Sequence, residues 1–333
     1  MATVDAATVI QASYVSAAAA ILVIRAVPSL RDRFLAYGSR ASDVPSTVDF
    51  KVGNVDAPTT GDSHQSGVER SSAKVDKKDA ASATSVVGKL LDSAASIQVP
   101  HSWFASFYVV STLSSAFWAY EIVFKAAAFN VVADLSSDND RSMTLRQIVV
   151  VSAMMFAQGA RRLYESIEFA KPSSSKMFVG HWIMGLWFYV TIGVAVWIEG
   201  IPMLRQADVE MKHFQFVPPT PRTFIASVIF ILASGGQVDC HGYLSSLKRY
   251  GVPQHPAFQS LVCPHYFAEC LIYLSMAIQA APKGALVNRT ILCALVFVGV
   301  NLGVTADGTK KWYAKRFGPQ SVEGKWRMIP YLF

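Results

Sequence analysis

Residues 236–275 read GQVDCHGYLSSLKRYGVPQHPAFQSLVCPHYFAECLIYLS. Ionisable and amide groups crowd together here, between two long apolar runs. Gln237, Asp239 and His241 end the first run, and Lys248 and Arg249 lie in the loop. His265 and Glu269 open the second run one helical turn apart. Polar groups at membrane depth are costly unless they face partners, water or a ligand. Their gathering at one helix end and the next helix start points to a shared polar cavity. The same spacing also fits a helix hairpin whose polar ends sit among lipid headgroups.

Outward from this stretch, apolar runs fill the chain. Of 333 residues, 52% are hydrophobic and 16% charged, against roughly 25% charged in an ordinary soluble domain. The runs cover 6–28, 104–129, 144–164, 178–201, 221–243, 264–282 and 287–307, each near the roughly 20 residues that span a bilayer. The expected fold is therefore all-α: a polytopic membrane protein with about seven transmembrane helices. The first run lacks a positive segment before it and reads as a signal anchor.

Residues 29–100 change character, being rich in Ser, Ala, Asp and Lys with few aromatics after Phe50. That composition predicts disorder over 41–95. The expected division is thus a first transmembrane helix at 1–28, a cytosolic and largely disordered loop at 29–100, and a six-helix core at 101–333 with a cytosolic tail. Loop charge supports the orientation. Arg161, Arg162, Lys171, Lys176, Lys248, Arg249, Lys310, Lys311, Lys315, Arg316, Lys325 and Arg327 fall on one side of a seven-span chain. The positive-inside rule puts that side in the cytosol and the N-terminus in the lumen.

The net charge of +7 does not indicate nucleic acid. The Lys and Arg residues sit at the ends of apolar runs, and no nucleic-acid module is present. Cys240, Cys263, Cys270 and Cys293 form no CxxC pair, so no disulfide framework is expected. His265 and Glu269 have helical ligand spacing, but there is no HExxH and no repeated His box, so no metal is expected. GxGxxG is also absent, so a Rossmann domain is not indicated. A dinucleotide phosphate needs cations, and Lys248, Arg249, Lys310, Lys311 and Arg316 are available.

Five segments carry a resemblance. HYFAECLIYLSMAI from His265, KKWYAKRFG from Lys310, the terminal IPYLF, HSWFASFYVVS from His101 and ARRLYES from Ala160 are similar to the steroid 5-alpha-reductase family, with its polyprenol reductase branch nearest. The resemblance implies NADPH as cofactor, bound in the cytosolic half of the C-terminal spans. Gln237 and His241 match the polar positions of the family's Asn-x-x-x-Asp stretch, and Lys248 falls at or beside its Arg. His265 stands where Asn is usual, Glu269 matches the Glu one turn later, and Tyr313 matches the Tyr of the C-terminal motif. Lys310 lies where the family commonly has His, and Lys325-Trp326-Arg327 departs from the usual Arg-Lys pair.

The same resemblance implies saturation of the α-isoprene unit of a long-chain polyprenoid lipid, in the endoplasmic reticulum membrane, for dolichol synthesis and protein N-glycosylation. Hydride attack needs an electrophilic carbon, which a conjugated aldehyde offers and an isolated allylic alcohol does not. A fixed donor must then stabilise the carbonyl oxygen. The candidate donors are Tyr108 and Tyr164, with Arg162 and Glu165 placed to orient Tyr164. Glu121 is a further ionisable group in the aromatic second run. The steroid enzymes' Glu near Trp-Phe has no counterpart beside Trp103-Phe104. Two other classes fit the same polar groups: a reductase of another lipid, such as a steroid enone or enoyl thioester, and a transporter or membrane scaffold. NADPH binding separates the reductases from the last class.

Overall fold

The computed structural model describes residues 5–35, 86–137, 141–171, 175–247 and 251–333. Its elements in order are α1 (Ala6–Ala26), α2 (Pro28–Phe34), α3 (Val86–Ser96), β1 (Gln98–Pro100), α4 (Ala105–Phe124), α5 (Ala127–Asp134) and α6 (Leu145–Glu168). There follow β2 (Lys176–Phe178), α7 (Val179–Ala195), α8 (Ile201–Gln206), α9 (Pro221–Ser246), α10 (Ala257–Ser260), α11 (Pro264–Gln279) and α12 (Arg289–Phe317). The protein is an all-α polytopic membrane protein. Its one small sheet, among the described residues, pairs β1 with β2 antiparallel.

Local chemistry fixes the helix ends. Asp5 caps α1 by accepting from the Thr8 amide at 3.1 Å. Thr144 and Gln147 form a capping box on α6, and Asn288 Oδ1 accepts from the Ile291 amide at 2.9 Å on α12. Each satisfies backbone donors that a helix start leaves unpaired. Lys125 takes a left-handed conformation (φ 45°) and stops α4. The Glu121 carboxylate then accepts from the Phe129 amide at 2.9 Å in the first turn of α5, so this buried acid serves a helix start.

Contacts give each long helix its direction. Gln11 reaches Thr290 and Arg25 reaches Asp307, so α1 and α12 run parallel. Tyr108 meets Arg162, and Ser111 meets Gly159, so α4 and α6 are antiparallel. Ser106 bonds Trp182, and Trp118 packs on Trp197, so α4 and α7 are parallel. Gln237 and His241 lie beside Arg161 and Glu165, making α6 and α9 parallel. Arg222 bonds the Ala281 carbonyl while Gln237 bonds that of His265, making α9 and α11 antiparallel. Thus α1, α4, α6, α7, α9, α11 and α12 alternate in direction through one bundle.

Among the described residues, five segments are long and apolar enough to cross a membrane: Ala6–Ala26, His101–Phe124, Val179–Gln206, Pro221–Ser246 and Arg289–Phe317. The expected seven is not reached by this measure. Helix α6 carries Arg161, Arg162 and Glu165, and α11 is 16 residues long, about 24 Å at the helical rise. A second expectation meets its limit in the 29–100 loop. Most of the segment expected to be disordered lies outside the described residues, but 86–96 is helical and 28–34 forms α2. Short helices flank the loop because Arg33 and Asp92 pair at 2.5 Å and Phe34 packs on Phe178.

The core lies where α1, α7 and α12 cross. Tyr14, 0% exposed, packs against Trp187, Phe188 and Phe297. Close approach of α4 and α6 depends on Gly159, where a Cβ would stand 2.7 Å from Ser111 Oγ and 3.3 Å from the Thr112 nitrogen. Gly159→Leu is expected to destabilise by about 1–3 kcal/mol through overpacking. A melting temperature equal to that of the parent would show that the two helices do not meet there.

Candidate active site

The C-terminal ends of α6 and α9 meet the N-terminal ends of α4 and α11 at one end of the bundle. Four helices thereby bring their polar residues into a single network. Its centre is Glu165, 2% exposed. One carboxylate oxygen pairs with Arg161 and the other with Arg162. The second oxygen also lies 2.6 Å from His241 Nδ1. Arg162 Nη1 stands 2.7 Å from that same Nδ1. Only one of these contacts can be a hydrogen bond, because an arginine only donates and a protonated Nδ1 cannot accept. The carboxylate is the acceptor of the pair, so Nδ1 carries the proton.

Two branches leave this centre. Arg162 Nη2 donates to the Tyr108 hydroxyl at 2.6 Å, and its guanidinium lies 4.7 Å from the centre of the Tyr108 ring. Arg161 Nη2 donates to Gln158 and to Gln237, both at 2.6 Å. Gln237 Nε2 donates to Glu269 at 2.5 Å and to the His265 carbonyl at 3.2 Å, and Gln158 Nε2 reaches Glu269 at 3.2 Å. Two arginines thus face two carboxylates, with amides joining them. Charges at this depth need such pairing, because desolvation of an isolated ion costs several kcal/mol.

The network forms one wall of a cavity of 1930 Å³. Tyr108, Arg162, Gln237, His241, His265 and Glu269 face it. Apolar and aromatic residues also line it, among them Phe104, Phe107, Met184, Phe188 and Phe297. His265 Nδ1 is buried with no hydrogen-bond partner, although the residue lines the cavity. A buried nitrogen left unpaired beside a cavity is a place for a ligand group.

Of the residues singled out from sequence, the structure brings together Tyr108, Arg162, Glu165, Gln237, His241, His265 and Glu269. Tyr313 lines the same cavity from α12 and packs with Cys263, Ala306 and Val322. Lys310 does not join them: it donates to the Lys325 carbonyl and braces the tail. Tyr164 is corrected. It is 63% exposed, because one residue along a helix is about 100° of rotation. The step from Glu165 to Tyr164 therefore leaves the network. Lys248 lies outside the described residues.

Sequence reasoning missed Gln158, Arg161 and Tyr189. The first two had a signal: Gln158, Arg161, Arg162 and Glu165 recur at three- and four-residue spacing, a polar stripe on an otherwise apolar helix. Tyr189 was hidden in the aromatic run WFYVTIG. Its ring lies 5.7 Å from that of Tyr108 in an edge arrangement, and both residues face the cavity.

Residues 175–333 match the family described as 3-oxo-5-alpha-steroid 4-dehydrogenase. The chain is similar to polyprenal reductase 2 of Oryza sativa subsp. japonica, 25% identical over 293 residues, covering 72% of this chain and 81% of that one. It is 25% identical over 266 residues to the polyprenal reductase of Mesocricetus auratus, covering 71% and 79% of the two chains. With the polyprenal reductase of Saccharomyces cerevisiae the identity is 27% over 180 residues, or 54% and 62% of the two chains. The family match covers the C-terminal spans, and the relatives extend the similarity into the N-terminal ones.

Proposed function

We propose that the protein is an NADPH-dependent reductase that saturates the α-isoprene double bond of a polyprenal, in the endoplasmic reticulum membrane, on the route to dolichol for N-glycosylation. One observation carries the reading: the Tyr108 hydroxyl accepts from Arg162 Nη2 at 2.6 Å. A phenol has one proton and an acceptor oxygen. With the oxygen engaged by a cation, the proton is available to a ligand in the cavity. A conjugated aldehyde draws charge onto its oxygen as its β-carbon gains hydride, and Tyr108 would donate to that oxygen. Tyr189 stands beside Tyr108 and hydrogen-bonds to it.

The residues present fit the cofactor. The buried Nδ1 of His265 lacks a partner, and Arg25, Arg31 and Lys311 also line the cavity. Bound NADPH would supply the hydride. Gln237, His241, His265, Glu269 and Tyr313 would hold it, with Gln237 fixing the Glu269 carboxylate. The isoprenoid tail would lie along the aromatic wall. Saturation balances as one hydride to the β-carbon and one proton to the α-carbon, giving the saturated aldehyde.

The test is NADPH oxidation by purified protein with polyprenal and with polyprenol. Faster turnover of the aldehyde is expected, and the product should be the saturated aldehyde. Equal rates on both substrates would refute the electrophile argument, and no oxidation with either would refute the reductase.

All seven alternating helices are proposed to cross the membrane, with the network at the cytosolic end. A tag after Phe333 should then be digested by protease in sealed microsomes, and a tag inserted after Gln215, between α8 and α9, should be protected. Digestion of both, or protection of the C-terminal tag, would refute this topology.

A further inference from the structure

The connection between α8 and α9 is tied down, yet it turns its apolar side chains outward. Arg146 of α6 donates to the Gln215 carbonyl at 3.2 Å and to the Lys212 carbonyl at 3.3 Å. His213 Nδ1 accepts from the Glu210 amide at 2.9 Å, closing a short turn over Met211–His213. A backbone held in this way could fold its large side chains inward. Instead Phe216 is 94% exposed, Met211 78%, Phe214 55% and Val217 42%. So many large apolar residues in one short stretch make a patch, unlike the single ones scattered over any surface.

What covers the patch follows from its neighbour. Helix α9 begins at Pro221 and leaves Phe224, Ile225, Val228, Ile231 and Leu232 exposed. Their spacing of three and four puts them along one side of the helix. In a helix long and apolar enough to cross a membrane, that side meets lipid. Only Pro218, Pro219 and Thr220 separate the patch from this helix. Charge agrees with the same partner. Arg146 and Arg222 spend hydrogen bonds on neutral carbonyls, which leave their charge uncancelled. Rings beside such cations have the composition of a membrane interface, where rings enter the acyl boundary and cations meet anionic headgroups. We propose that Met211–Val217 is an interfacial anchor with phospholipid as its partner, inserted into the leaflet at the end of the bundle opposite the Glu165 network. Pro218, Pro219 and Pro221 each fix φ, so the link from anchor to α9 is stiff. The anchor thereby sets the depth of α9, whose far end carries Gln237 and His241. This inference rests on the membrane fold alone and is independent of the reductase reading.

The experiment places the photoreactive residue p-benzoylphenylalanine at position 216 of the full chain. The protein is irradiated in nanodiscs of phosphatidylcholine and phosphatidylserine, and in microsomes. An adduct with the mass of a phospholipid is expected in both. Adducts with another protein in microsomes, and none with lipid in either, would assign the patch to a protein partner and overturn the anchor. Phe216→Trp keeps an aromatic ring and gives a second, independent readout in the same nanodiscs. Its added emission over the parent should be quenched by lipids brominated near the headgroup end of the acyl chain, and should resist aqueous acrylamide. Quenching by acrylamide and not by the brominated lipids would leave position 216 in water and overturn the anchor, whatever the photochemical yield.

Discussion

Tyr108→Phe is expected to lower kcat on polyprenal by about 10²–10³, the cost of removing one donor from a developing oxyanion, with NADPH affinity unchanged. The substitution is a clean one because the ring is held independently of its hydroxyl. The side chain is 8% exposed, lies under the Arg162 guanidinium at 4.7 Å and stands edge-on to Tyr189 at 5.7 Å. Phenylalanine keeps each of these contacts. Arg162 loses one acceptor but retains Glu165, so its position is secured. A donor acting only in the transition state should change kcat and leave cofactor binding alone. Full activity in Tyr108→Phe would move the donor to Tyr189, and loss of both kcat and NADPH affinity would give the hydroxyl a structural role instead.

The fold was legible because hydrophobic runs near bilayer length are a strong signal, and the polar stretch from Gln237 to Glu269 marked where two helices open onto one cavity. What stayed hidden follows from geometry. Tyr164 lies beside Glu165 in sequence, but adjacent helical positions point about 100° apart, and the useful partner was three residues away in Arg162. The pairing of α1 with α12 joins Arg25 to Asp307 across nearly the whole chain, and nothing local announces it. Two helices fail the measure for different reasons, α11 because it is only 16 residues long and α6 because of what it carries. Helix α6 supplies the network's arginines and its central carboxylate, so the residues that build the site also dilute the signal of its helix. Tyr189 had no local mark at all. An aromatic in an aromatic run reads as packing until its neighbours across the cavity are known.

The network also predicts how stability and activity come apart. Glu165→Gln is expected to destabilise the protein by about 3–5 kcal/mol, because it leaves buried cations without their anion. Arg161 and Arg162 both pair with this carboxylate, and His241 Nδ1 donates to it at 2.6 Å. A glutamine would present an amide N–H to at least one of these donors. Poor accumulation in the membrane and a lowered melting temperature are the expected readouts. The double variant Glu165→Gln/Arg162→Met removes one charge of each sign. Arg161 keeps Gln158 and Gln237 as acceptors, both at 2.6 Å, so much of the lost stability should return. Activity should not return, because Tyr108 has lost the guanidinium that engages its oxygen. A Glu165→Gln protein as stable as the parent would show that the carboxylate does not hold the bundle end together. Recovery of both stability and turnover in the double variant would show that Tyr108 needs no cation, and the role assigned to Arg162 would fall.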